Sequence, residues 1–203
     1  KAMGLQMLPP AVANAHMRGD IHWHDLDYTP FMAETNRCLI DFKEMLNHGF
    51  NIGNAEVEPA NSIQVAVTQM TQILANVASS QYGGCSSART DEVLAPFAEK
   101  NYQKHLVEAA ELTDDPDKQA AYAKRRTKKD ILDALQTLEY QVNTLYSTQG
   151  QTPSVTVGFG LGTSWIEREI QQDILKIRIG GLGEETRTAI FPTLVLPLKL
   201  ALN

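Results

Sequence analysis

The stretch from Val155 to Leu200 does most to limit what this chain can fold into. Val155-Thr156-Val157-Gly158-Phe159-Gly160 has the composition of a buried strand, and Ser164-Trp165-Ile166-Glu167 is a capping-box pattern that opens a helix over 166–179. Residues 188–200 are again rich in strand formers. Strand, helix and strand in that order imply a parallel pair joined by a crossover, because antiparallel neighbours need only a tight turn. The expected class is therefore α/β, with helices packed on a parallel sheet.

Upstream, Ile63, Val67, Met70, Ile73, Leu74 and Val77 recur at helical spacing and predict a helix over 62–80, closed by left-handed glycine at Gly83-Gly84. Thr90-Asp91-Glu92 supply capping chemistry for a second helix to about residue 112, which Asp114-Asp115-Pro116-Asp117 break. A third helix begins somewhere in 118–127 and runs to 146, with Ile131, Leu135, Leu138, Val142 and Leu145 on one stripe. Nearer the start, 12–16 reads as a short helical entry and 20–26 alternates as a strand. Cys38-Leu39-Ile40-Asp41-Phe42 is a short apolar run, and 48–54 is a Gly-rich connection that punctuates rather than packs. Residues 1–203 thus divide into a strand region at about 20–57, a helical layer at about 62–147 and a strand-helix-strand unit at about 150–203.

Composition narrows the function classes. With 43% hydrophobic and 21% charged residues the chain is neither disordered nor low in complexity. No apolar run reaches the ~18–20 residues of a membrane span, and Pro9, Pro10, Asn14, Arg18 and Asp20 interrupt any signal-peptide core. A cytoplasmic setting without membrane is the default. Cys38 and Cys85 are too few for a disulfide framework and read as free thiols. A formal charge of −6 argues against broad nucleic-acid binding. A start at Lys1 and an apolar end suggest a piece of a longer protein.

Four constellations could carry chemistry. His22-Trp23-His24-Asp25 would place both imidazoles on one strand face, a common metal-ligand arrangement, so a metal-dependent hydrolase is one reading and metal-free hydrogen-bonded histidines the other. Gly158-Phe159-Gly160-Leu161-Gly162-Thr163-Ser164 could offer helix N-terminal N–H groups to a phosphate, or simply let a helix pack closely on its strand. Cys38 sits on an apolar run without a local base, and Cys85 after Gly83-Gly84 looks more exposed. Lys124-Arg125-Arg126-Thr127-Lys128-Lys129, placed at the start of a helix, is either a solvated face or a phosphate attractor.

Several ordered blocks together resemble the anaerobic (class III) ribonucleoside-triphosphate reductases, which are glycyl radical enzymes. The carriers are Ala15-His16 with Gly19-Asp20-Ile21-His22-Trp23-His24-Asp25-Leu26-Asp27, then Leu39-Ile40-Asp41, Gly49-Phe50 and Ile52-Gly53-Asn54-Ala55-Glu56. They continue through Gln81-Tyr82-Gly83-Gly84, Leu138-Glu139-Tyr140, Val142-Asn143-Thr144-Leu145, Gly150-Gln151-Thr152-Pro153 and Gly158-Phe159-Gly160-Leu161-Gly162-Thr163. Gly181-Leu182-Gly183 and Thr188-Ala189-Ile190-Phe191-Pro192 complete them.

The resemblance implies a ten-stranded α/β barrel, of which this chain supplies opening strands and a helical layer, and in which the Gly-rich turn is a barrel element. It implies reduction of ribonucleoside triphosphates by a glycyl radical and a thiyl cysteine that both lie outside this chain, with formate as reductant. Further implied partners are ATP or deoxynucleoside triphosphate effectors, a second copy in a homodimer and a radical-SAM activating protein. His22, His24 and Asn36 would line the substrate pocket without metal, and Glu58, Asn61, Gln72 and Lys104 the effector site. Two positions depart from the family pattern. Arg37 stands where the family has its second active-site cysteine, so Cys38 would serve only if the backbone bulges there, and Asn61 stands where a lysine is usual. A non-catalytic, nucleotide-binding relative is the alternative.

Overall fold

The computed structural model describes residues 1–23, 26, 35–146, 150, 152–184 and 186–197. Two short helices, α1 (Ala2–Met7) and α2 (Pro10–Arg18), lead to strand β1 (Thr35–Ile40) and helix α3 (Phe42–His48). A hairpin of β2 (Phe50–Ile52) and β3 (Ala55–Val57) precedes α4 (Ile63–Ala78) and β4 (Gln81–Ser87). Long helices α5 (Thr90–Ala110) and α6 (Pro116–Thr144) follow, then β5 (Val155–Gly158), α7 (Trp165–Gly180) and β6 (Thr193–Val195).

The main sheet runs β1-β4-β5-β6, and every neighbouring pair is parallel. The α/β class and the β5-α7-β6 crossover therefore hold, and Ser164 opens α7 with a complete capping box to Glu167. The helical layer also stands where its periodicity put it. Ile131, Leu135, Leu138 and Val142 of α6 are buried with Val67, Met70, Ile73 and Leu74 of α4 in one core. Each such side chain contributes about 1.5–3 kcal/mol by leaving water.

Several local expectations are corrected. Asp20–Trp23 form no strand: the segment turns back on α2, where the Trp23 N–H donates to His16 Nδ1 at 3.0 Å and Arg18 pairs with Asp20 at 2.7 Å. The rest of that expected strand, apart from Leu26, lies outside the described residues. Residues 48–54 do not merely punctuate, since they form most of the β2-β3 hairpin. Gly83 and Gly84 do not close α4, which ends at Ala78, but lie inside β4. Thr90 is not the N-cap of α5; Arg89 is, with a left-handed φ of 52°, and Thr90 faces Ser87 in a buried hydroxyl pair at 2.8 Å. The cationic run lies inside α6 rather than at its start, because Pro116 at the first turn and Asp115 as N-cap begin that helix earlier. Within the β-rich 188–200 only Thr193–Val195 is strand among the described residues.

Candidate functional site

Thr35, Asn36 and Arg37 are all exposed, and from Arg37 to Ile40 strand β1 alternates between two faces. Ile40 is buried and Cys38 half-buried against the helix-side core, whereas Arg37 and Leu39 are exposed on the other face, Leu39 to 68%. A register irregularity lies beside them: between the pairs Thr35/Gln81 and Arg37/Gly84, β4 takes one residue more than β1. The extra residue is on β4, so β1 keeps its alternation and Cys38 stays on the face opposite Arg37. Cys38 then pairs in register with Cys85. Cys85, which its Gly-Gly context made look exposed, is fully buried, and that burial pushes its thiol up to about 11.

The glycines of β4 explain the irregularity. A Cβ on Gly83 would fall 1.7 Å from Asn36 Oδ1 and 2.8 Å from the Asn36 carbonyl oxygen. Gly84 has a φ of 106°, and a Cβ there would meet the Ser154 carbonyl at 2.0 Å. Asn36 therefore lies directly on the β4 backbone, held at the edge of the sheet beside Arg37. His22 is exposed and its ring centroid is 5.5 Å from that of His16. His24 lies outside the described residues. Among the described residues no group of three His, Cys, Asp or Glu side chains is placed to hold a metal ion.

The residues expected on the effector side occupy the helical layer without forming one cluster. Glu58 follows the hairpin, and its carbonyl accepts from Gln69 Nε2 at 2.9 Å. Asn61 is exposed just before Ser62, the N-cap of α4. Lys104 is exposed on α5, 3.9 Å from Glu108. Gln72 is three helical turns along α4 from Asn61, roughly 16 Å at the helical rise, and lines a groove with Ile52, Val57, Asn76 and Tyr146.

Sequence reasoning missed a buried polar network that fixes the start of α4. Asn101 accepts from the Ile63 N–H at 3.2 Å and donates to Gln64 at 2.9 Å and to Asp130 at 2.7 Å. His105 is clamped between carboxylates, Nδ1 to Glu108 at 2.8 Å and Nε2 to Asp130 at 2.7 Å. Its hydrogen bond holds the Glu108 carboxyl below its ordinary value. Lys100 caps the arrangement by donating to the Ala60 carbonyl at 2.7 Å. Asn101 and His105, polar residues four apart at inward positions of one helix, were the available signal.

The Gly-rich turn after β5 holds a carboxylate of the chain itself. Asp91, fully buried in the first turn of α5, accepts through Oδ2 from the N–H groups of Gly160 and Gly162 at 3.1 Å each and from Gln171 Nε2 at 2.6 Å. Glu167 takes the N–H groups of Thr163 and Ser164 at 2.8 and 2.7 Å. The donors considered for a phosphate are thus committed internally, and the close-packing reading of the glycines is the one the geometry supports.

Comparison with known proteins adds the family. The profile of the family described as anaerobic ribonucleoside-triphosphate reductase matches residues 1–203. Curated relatives of that name from Salmonella typhimurium and Escherichia coli are each 54% identical over 197 residues, 97% of this chain and 27% of the relative. The relative from Enterobacteria phage T4 is 49% identical over 205 residues, covering 100% of this chain and 33% of its own length. The chain thus spans about a third or less of the curated relatives it matches. Among solved structures, one named anaerobic ribonucleotide reductase superposes with a TM-score of 0.60 at 16% identity, over 96% of this chain and 31% of its own. A crystal structure of the Thermotoga maritima anaerobic ribonucleotide reductase in complex with dATP and CTP gives 0.53 at 14% identity, over 85% of this chain and 30% of its own.

Proposed function

The chain belongs to the anaerobic ribonucleoside-triphosphate reductase family, and from that premise we propose that it is part of an enzyme reducing ribonucleoside triphosphates to deoxyribonucleoside triphosphates. The observation that carries this reading is the match over all 203 residues at about half identity to reductases of that name. In this reading β1, β4, β5 and β6 begin a ten-stranded barrel that residues outside this chain complete, and the open face carrying Arg37 and Leu39 looks into it. A glycyl radical outside this chain supplies the one-electron chemistry.

This chain's own residues then bind and orient. His22, His24 and Asn36 line the ribonucleotide pocket, with Asn36 fixed by its contact with Gly83. Formate, as reductant, needs hydrogen-bond donors for its carboxylate, and the exposed Arg37 guanidinium is a donor of the right geometry. Glu58, Asn61, Gln72 and Lys104 serve the effector nucleotide, ATP or a deoxynucleoside triphosphate. Lys104 is the cation available to its phosphates, while neutral Asn61 weakens that contact. The roughly 16 Å along α4 between Asn61 and Gln72 suits a site completed by the second copy of a homodimer. A radical-SAM activating protein installs the radical.

The placement of Arg37 favours a second reading, a relative that binds nucleotide without reducing it. The cysteine that could replace the missing one, Cys38, packs on the opposite face of β1. One experiment separates the two. The full-length protein containing this chain is activated anaerobically, the radical is followed by electron paramagnetic resonance, and deoxynucleotide formation from CTP is measured with formate and dATP. Turnover supports the reductase; a radical without turnover that Arg37→Cys restores supports a reductase blocked at this residue. Effector binding with neither radical nor turnover, in the protein and in Arg37→Cys alike, refutes the first reading and leaves the second.

A further inference from the structure

Cys38 and Cys85 are distant in sequence yet are Cα partners on neighbouring parallel strands, so their side chains project from the same face of the sheet. Both face the helix side: Cys85 belongs to the core and Cys38 packs against it. Strands in a sheet lie about 4.8 Å apart, within the ~4.4–6.8 Å between α-carbons that a disulfide spans. We propose that Cys38 and Cys85 form a dithiol that a low-molecular-weight disulfide converts into a cross-strand disulfide, making this strand pair a site of oxidative modification. This does not rest on the catalytic reading, because neither thiol lies on the face that carries Arg37.

The steps balance. The Cys38 thiolate attacks one sulfur of the small disulfide, which leaves as a thiolate, and a mixed disulfide forms on Cys38. The Cys85 thiolate then attacks Cys38 Sγ, forming the protein disulfide and expelling the second small thiolate. Two protein thiols each lose a hydrogen, and the small disulfide is reduced to two thiols. The order follows from access, since Cys38 is half-buried and Cys85 has no exposed surface.

Burial also makes the second step slow. With the Cys85 thiol pushed up to about 11, its thiolate is scarce at neutral pH. Cys38 adds to that shift and the Arg37 cation opposes it; the β5 register partner is Val155, and the buried residues of α4 carry no ionisable group. The closing step therefore accelerates with pH. Its product ties β1 to β4 one residue pair beyond Arg37, just past the register irregularity.

The test uses the full-length protein containing this chain, reduced and desalted under anaerobic conditions, then incubated with oxidised glutathione without denaturant. Aliquots are quenched with alkylating agent and mapped by peptide mass spectrometry. A glutathione adduct on Cys38 should appear first and give way to a linked Cys38–Cys85 peptide, with the second rate rising roughly tenfold per pH unit between about pH 7 and 9. Cys85→Ser should stop at the adduct, and Cys38→Ser should leave Cys85 unmodified. An adduct on Cys38 that persists without a linked peptide overturns the proposal. So do modification of Cys85 before Cys38, and linkage seen only in denaturant.

Discussion

Replacing Asp91 by alanine removes the acceptor on which the turn after β5 is closed. Three donors lose this acceptor at once: the N–H groups of Gly160 and Gly162 at 3.1 Å and the Gln171 amide at 2.6 Å, the amide keeping a second partner in the Gly162 carbonyl at 2.9 Å. A hydrogen bond to a charged acceptor is worth about 1.5–3 kcal/mol, and breaking a buried charged arrangement from one side costs about 3–5 kcal/mol. Simple addition of three such bonds overshoots, because the freed donors share one carboxylate oxygen and relax together. About 4 kcal/mol is therefore the expected loss, close to a thousandfold in local opening. Asp91→Asn keeps an acceptor but not the charge, and should lose about 1–2 kcal/mol, roughly tenfold. Amide hydrogen exchange of the segment containing Gly160 and Gly162, measured by mass spectrometry on the full-length protein, reads this opening directly. Protection that falls less than threefold in Asp91→Ala would refute the idea that this carboxylate holds the turn.

Two further perturbations test other parts of the chain. Gly83→Ala puts a methyl 2.8 Å from the Asn36 carbonyl oxygen, which the strand cannot yield without shifting; on the proposal that Asn36 lines a ribonucleotide pocket, its displacement should lower kcat/KM of the full-length protein for the ribonucleoside triphosphate on the order of 10²-fold, and a change within twofold would refute that role or this contact. Two glutamates should shape the pH dependence of stability with opposite sign. Burial raises the Glu139 carboxyl against the opposing Arg178, so stability falls as pH rises above the ordinary value of 4.5; the hydrogen bond from His105 lowers Glu108, whose contribution is present above 4.5 and lost as pH falls through its folded value. Thermal midpoints against pH should lose the first trend in Glu139→Gln and the second in Glu108→Gln, and either variant leaving its trend intact contradicts the assignment.

What could be read from the sequence followed how local each cause is. The capping box at Ser164 and the apolar stripes of α4 and α6 are set by neighbours three and four residues away, and the helices stand where the spacing put them. Gly83-Gly84 misled because the reasons for those glycines are distant in sequence: Asn36 on β1 occupies the space a side chain would need at Gly83, and the Ser154 carbonyl occupies it at Gly84. The Gly-rich turn misled likewise, since its N–H groups meet a carboxylate contributed by α5, and nothing near Asp91 in sequence announces that partner. Alternation over Asp20–Trp23 was overridden by a contact with His16 on α2.

The register of β1 against β4 sharpens the question posed by Arg37. A bulge on β1 would have rotated Cys38 onto the face of its neighbour and let one cysteine stand in for another. The extra residue is on β4, where Gly83 and Gly84 absorb it, so β1 passes with its alternation intact. Every residue from Arg37 to Ile40 is thereby committed to a face, with Cys38 and Ile40 on the helices and Arg37 and Leu39 away from them. Moving Cys38 across would put an apolar core position into the open and bring Leu39 inward, reversing the burial of the whole strand. The chemistry at Arg37 therefore cannot be repaired by a slip of the strand. On the proposed reductase reading a second thiol would have to come from outside this chain or by substitution at Arg37 itself, which is why Arg37→Cys is the variant that discriminates, and why Cys38, the register partner of Cys85, is free to answer a different redox signal.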